Sequence, residues 1–178
     1  MSLFEKHQGL LNKAIEALHT RTFFAAFPEQ PAPAVYGETA DADGLAKFKA
    51  MRGTNFSELL QTGGNGWIGQ EESPYFQEPL RVQYPSYPVE TLMKQATASA
   101  TAWRKTSAND RAGILIESLE GMKARFFEIA YATMHTTGQW FMMAFQASGP
   151  HAADRALEAI AAGYEELNRF PAKALWDK

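Results

Sequence analysis

His151 and Arg155 stand four residues apart, a spacing that puts both side chains on one face of a helix. They follow Pro150, and proline is favoured at the first helical position. The free backbone donors of that helix start therefore lie close to both side chains, and such donors favour anions. A phosphate or carboxylate is the ligand this pair could receive. Asp154 and Glu158 offer Arg155 carboxylates on the same segment, so a surface ion pair is the competing arrangement.

Other chemistry is excluded more firmly. The 178 residues include no cysteine, which removes thiolate nucleophiles, Fe–S clusters and redox dithiols. The four histidines lie at positions 7, 19, 135 and 151. Without an H-x-x-x-H pair, a zinc site would need distant residues to converge, and no metal ligand is assigned. The Gly63-Gly64-Asn65-Gly66 run lacks the lysine and hydroxyl residue of a P-loop. No strand precedes it and no helix follows, so a dinucleotide fingerprint fails as well and a flexible turn is expected. There is no G-x-S-x-G, and Ser148-Gly149 lies before a proline rather than in a nucleophile elbow. The pairs Glu71-Glu72 and Glu165-Glu166 lie on polar segments where solvation is their role. No catalytic residue is assigned.

The charge balance excludes two classes of partner. With 17 Lys+Arg against 20 Asp+Glu the net charge is −3, its signs interspersed. That pattern gives no footprint for a nucleic-acid backbone or an anionic membrane. Glu5, Lys6 and His7 interrupt the start of the chain before a signal region could form. No later stretch approaches the roughly 18 consecutive apolar residues of a membrane-spanning helix. A cytoplasmic protein of about one domain is expected.

The elements that position these residues follow from periodicity. Ser2 and Glu5 have the spacing of a capping box, so a helix should start there. Its apolar stripe, Leu3, Phe4, Leu10, Leu11, Ala14, Ile15 and Leu18, runs to about His19. From Phe27 to Tyr36, Pro28, Pro31 and Pro33 remove backbone donors and predict an extended connector. Ala42 to Met51 predicts a short helix weakened by Gly44, and Trp67-Ile68 a short strand. Leu80 to Tyr84 alternates with a strand's two-residue period between Pro79 and Pro85. Val89, Leu92, Met93, Ala96, Ala100 and Trp103 predict a helix over about Val89 to Trp103.

Ser107 and Asp110 predict a cap, and one long helix from there to a left-handed stop at Gly138. Its seam would be Ala112, Leu115, Leu119, Met122, Phe126, Ile129 and Thr133. Gln139 to Ala147 reads as a buried short helix, and Pro150 opens a last helix with a stripe of Leu157, Ile160, Tyr164 and Leu167. The fold class is mainly α, a helical bundle with one or two short β-strands.

Ala98-x4-Trp103-Arg104, Arg111, Leu115, Leu119, Arg125, Ile129 and Thr137-Gly138-Gln139 resemble the N-terminal helices of the aldehyde dehydrogenase superfamily. Asp110 replaces that pattern's usual glutamate, and Gln139 its lysine. A narrower branch fits more of the chain. Phe4-Glu5-Lys6-His7, Val35-Tyr36-Gly37-Glu38-Thr39-Ala40, Asp43-Gly44, Gly66-Trp67-Ile68-Gly69 and Ser73-Pro74-Tyr75 resemble the phenylacetic acid degradation aldehyde dehydrogenase family. So do Met134-His135-Thr136-Thr137-Gly138-Gln139 and Met143-Ala144-Phe145-Gln146-Ala147-x-Gly149-Pro150-His151, and the likeness runs from about Leu3 to Lys178.

The resemblance implies the N-terminal part of an α/β aldehyde dehydrogenase fold. Residues 1–78 would form a family-specific helix and extended connector, and 79–178 the family's N-terminal strand and helices, in one compact unit. In that superfamily a thiolate attacks the aldehyde, hydride passes to NAD or NADP, and the thioester is hydrolysed. This chain has no cysteine for the first step, so NAD(P) is implied for a longer parent and no cofactor for this segment. The tail Phe170 to Lys178 reads as running into a connector, which makes the chain an N-terminal segment of such an enzyme. The implied partner is the remainder of that enzyme or another copy of this chain. The family's pathway implies a ring-opened acyl-CoA semialdehyde as the parent's substrate. The alternative is a stand-alone helical binding or regulatory protein whose Trp140 to Phe145 stretch closes onto its own core.

Overall fold

Ser2 and Glu5 close the first helix start as their spacing requires. The Glu5 N–H donates to Ser2 Oγ at 3.2 Å, and the Ser2 N–H to the Glu5 carboxylate at 2.7 Å. Helix α1 (Leu3–Thr20) follows, and Arg21 stops it in the left-handed conformation, φ 53°. This is a computed structural model that describes residues 1–171, 173 and 175. The end of the tail, Trp176 to Lys178, on which the reading of a continuing chain partly rests, lies outside the described residues.

The remaining elements in chain order are α2 (Pro33–Tyr36), α3 (Ala40–Met51), β1 (Gly66–Ile68), β2 (Tyr84–Ser86) and α4 (Val89–Lys105), then α5 (Ala108–Lys123), α6 (Phe126–Thr137), α7 (Phe141–Ser148) and α8 (Pro150–Asn168). The fold is mainly helical with two short antiparallel strands, as the sequence predicts. The elements group into two compact units that interleave along the chain. The first takes residues 1–27, 106–124 and those from 151 onward, the second 28–105 and 125–150. Residues 78 and 79 both lie in the second unit.

The first unit contains α1, α5 and α8. Helix α1 buries His7, Leu11 and Ala14, and α5 buries Ala112, Gly113, Ile116 and Leu119. Gly113 allows a close approach of these helices, because a Cβ there would lie 2.6 Å from the Phe4 backbone nitrogen. Phe4 stacks on Tyr164 of α8 with ring centroids 5.9 Å apart, and the Tyr164 hydroxyl donates to Asn109 of α5. The expected α8 stripe is rotated: Ala153, Asp154, Leu157 and Ala161 are buried, while Leu167 is 57% exposed. Small alanines let the helix seat closely where Ile160 and Tyr164 were expected to fill the seam.

The second unit is built on aromatic rings. Phe127 and Phe145 approach to 4.9 Å, Tyr131 and Phe141 to 5.0 Å, and Tyr36 packs edge-on against Phe145 at 5.6 Å. Gly44, which weakens α3 as an isolated helix, is what lets α3 lie against α6, since a Cβ there would stand 2.3 Å from Phe127 Cβ. Phe48, Leu80 and Val82 form a neighbouring buried cluster with Tyr131 partly covering it. The Tyr131 hydroxyl donates to Asp41 at 2.6 Å, and burial together with that carboxylate pushes its pKa up to about 12.

Four expectations change here. Pro33 starts the short helix α2 inside the segment predicted as extended, because proline suits a first helical turn and Tyr36 anchors its hydroxyl on the Pro28 carbonyl. The strand moves from Leu80–Tyr84 to Tyr84–Ser86, paired with β1 as Trp67↔Pro85 and Ile68↔Tyr84. Arg81, at φ 59°, interrupts the extended run. The long helix divides into α5 and α6 at Ala124 and Arg125, with no proline at the break. Helix α7 buries Ala144 and Phe145 but leaves Met143 54% exposed, and Trp140 just before it is 73% exposed, so the segment is not buried all round.

Candidate functional site

The pair read from the sequence is partly brought together. Both residues lie in the first turns of α8, and both are exposed. Arg155 forms an ion pair with Glu158, the competing arrangement that the spacing allowed. Arg155 also lines a cleft of about 370 Å³ in the first unit, and His151 is not among the residues around it.

That cleft lies between the C-terminal end of α1, the segment that follows it, and α8. Ala14 and Leu157, both almost fully buried, are part of its floor, with Ala17, Leu18 and Phe24 half-buried beside them. Arg21, Thr22, Phe23, Arg155 and Glu158 are the exposed lining residues. Asp154 is buried here, and its Oδ1 accepts from the Ala26 and Phe27 N–H groups at 2.8 and 3.3 Å, fixing the segment that leaves α1. Arg21 enters the cleft because it occupies the left-handed position that ends α1. The sequence carried no sign of this, since Arg21 and Arg155 meet only through the docking of α1 with α8.

The other titratable clusters hold elements together. His7 is buried, with Nε2 at 2.5 Å from a Glu117 oxygen that also takes the Lys6 ammonium at 2.6 Å. Hydrogen bonds from Lys6 and then His7 hold the Glu117 carboxyl below its ordinary range. His19 meets Glu165 at 2.8 Å, so one of the paired glutamates fastens α1 to α8. His135 is buried, and its Nε2 donates to the Glu78 carbonyl. Among the described residues no group of three or more His, Asp or Glu is placed to hold a metal ion.

A second cleft, about 530 Å³, lies beside α3 and the segment 54–58. Of its two cations, Lys47 and Arg125, the second is fully engaged: Nε and Nη2 donate to the two Glu128 oxygens at 2.9 and 2.7 Å, and Nη1 to Glu58 at 2.7 Å. These carboxylates push the Arg125 pKa upward. The cluster is a clasp at the start of α6. The Gly63–Gly66 run leads into antiparallel β1, and Gly63 takes φ 86°. It is a turn without the parallel strand and following helix that cradle a dinucleotide phosphate. No described helix is long and apolar enough to cross a membrane.

Helices with a small antiparallel sheet match a fragment of a solved aldehyde dehydrogenase. The chain matches, over 100% of its length, 32% of the NAD-dependent aldehyde dehydrogenase from Burkholderia multivorans, with 44% identity and a TM-score of 0.93. It thus spans about a third of that protein's length. No family model matches the chain, and no curated protein does.

Proposed function

We propose that the chain is a helical N-terminal module of an NAD(P)-dependent aldehyde dehydrogenase of phenylacetate catabolism, without a reaction of its own. The observation that supports this reading is the match of the whole of this chain, at 44% identity, to 32% of an NAD-dependent aldehyde dehydrogenase. The Met134–Gln139 and Met143–His151 runs support the narrower branch. In this reading the parent is cytoplasmic and oxidises a ring-opened acyl-CoA semialdehyde. The module supplies packing and subunit contacts, and its partners are the remainder of the enzyme or another copy of itself. His151 and Arg155 then belong to one wall of the substrate entrance, where the phosphates of a CoA thioester would pass.

The module's residues do not fit the cofactor themselves, because the Gly63–Gly66 turn lacks the dinucleotide geometry. They also offer no thiolate. The purified chain, incubated with NAD or NADP and a panel of aldehydes, should reduce neither coenzyme above the blank. Steady turnover would contradict the assignment. A longer protein containing this segment should prefer an acyl-CoA semialdehyde over simple aliphatic aldehydes, and the reverse preference would remove the phenylacetate branch.

A further inference from the structure

The 370 Å³ cleft of the first unit has the size of a small-molecule site, near the lower end of the usual range of about 300–1,000 Å³. Its floor is apolar: Ala14, Leu18, Phe24 and Leu157. Its four charged groups are two arginines and two carboxylates, so net charge does not choose a ligand. Their engagements do. Glu158 is paired with Arg155, and the Asp154 carboxylate is taken by backbone N–H groups. Arg21 has no ion pair among the described residues. A guanidinium at the edge of an apolar cleft selects a carboxylate carried on a hydrocarbon body, through a charge-assisted and bidentate contact.

We propose that this cleft binds a small amphipathic carboxylate, with its hydrocarbon against Leu18, Phe24 and Leu157 and its carboxylate on Arg21. The site is independent of the aldehyde dehydrogenase reading, since it uses no cofactor and only residues of the first unit. Octanoate is a suitable probe, and octan-1-ol tests the charge because it keeps the chain and loses the carboxylate.

The test is a titration of the full 178-residue chain, followed by heteronuclear NMR. Octanoate should shift resonances of Arg21, Phe24 and Leu157 and bind about tenfold more tightly than octan-1-ol, the worth of one hydrogen bond to a charged group. Arg21→Asn tolerates the left-handed backbone position and should bring the two ligands to equal affinity, with octan-1-ol binding unchanged. Arg21→Lys should restore part of the preference. Equal affinities in the wild-type chain, shifts confined to residues outside the cleft, or no shifts with octanoate would overturn the proposal. Loss of octan-1-ol binding in Arg21→Asn would show that Arg21 shapes the cleft without reading charge, and would overturn it equally.

Discussion

Single atoms decide much of this molecule's tolerance. Gly44→Ala places a methyl group 2.3 Å from Phe127 Cβ and 2.9 Å from the Glu128 backbone nitrogen. Two helices must part to admit it, at a cost of about 2 kcal/mol, the usual range for overpacking. Gly9→Ala meets nothing within 4 Å inside α1 and should stabilise by about 0.5–1 kcal/mol through helix propensity. Denaturant midpoints of the two variants should therefore move in opposite directions. Glu117 gives a pH signature. Its folded pKa is lowered, so its contribution is present above its ordinary range and is lost as pH falls through the folded value. The stability difference between wild type and Glu117→Gln should be constant near neutrality and shrink in acid. A difference that persists at the acid end would count against the Lys6–Glu117–His7 cluster as its source. At this scale the sequence was informative where the partner is near: Ser2 with Glu5, Ser107 with Asp110, and Gly138 at φ 73° were all legible. Arg155 with Glu158 was legible only as a competitor, and Arg21 not at all.

Helices were legible in the sequence to the degree that one face of each is covered. Helix α1 buries the middle of its stripe at Leu11 and Ala14, whereas α4 shows the same apolar spacing and none of its residues is buried. Periodicity reports that a face is apolar, and nothing about which element covers it. The break between α5 and α6 escaped for another reason. The apolar seam continues past Ala124 and Arg125, and Arg125 is held at the start of α6 by a long-range contact with Glu58 and a short-range one with Glu128. Arg125→Ala would leave the Glu128 carboxylate, 9% exposed, without its cation. The expected loss is about 2 kcal/mol, below the range for fully buried pairs because the guanidinium is 39% exposed. The double substitution Arg125→Ala with Glu128→Ala should recover part of it, as a double-mutant cycle in denaturant would measure. Strand β2 shifted for a related reason: Leu80 and Val82 bury as the two-residue alternation predicts, yet their backbone does not join the sheet.

The whole molecule presents large apolar groups to solvent: Trp67, Val89, Met93 and Trp140 are 48%, 68%, 62% and 73% exposed. A segment that in a longer protein would be covered by further chain should self-associate when purified alone. Sedimentation velocity should show oligomers that weaken in Met93→Lys or Trp140→Ser, and a monodisperse monomer at high concentration would count against the modular reading. The general class, helices with a small sheet, was legible from periodicity and turn residues. The interleaving of two units was not, because no composition change marks the crossings near residues 27, 105, 124 and 150.

That interleaving has a consequence for birth on the ribosome. Helix α1 emerges well before the helix that completes its unit, α8, which begins only at Pro150. At about 5–20 residues per second, the apolar face of α1 waits on the order of ten seconds for its mate. In that interval residues 28–105 can already collapse on their own Phe48, Leu80 and Val82 cluster. A helix made before the rest of its unit is thus closed late, and holding chaperones would find their client in α1.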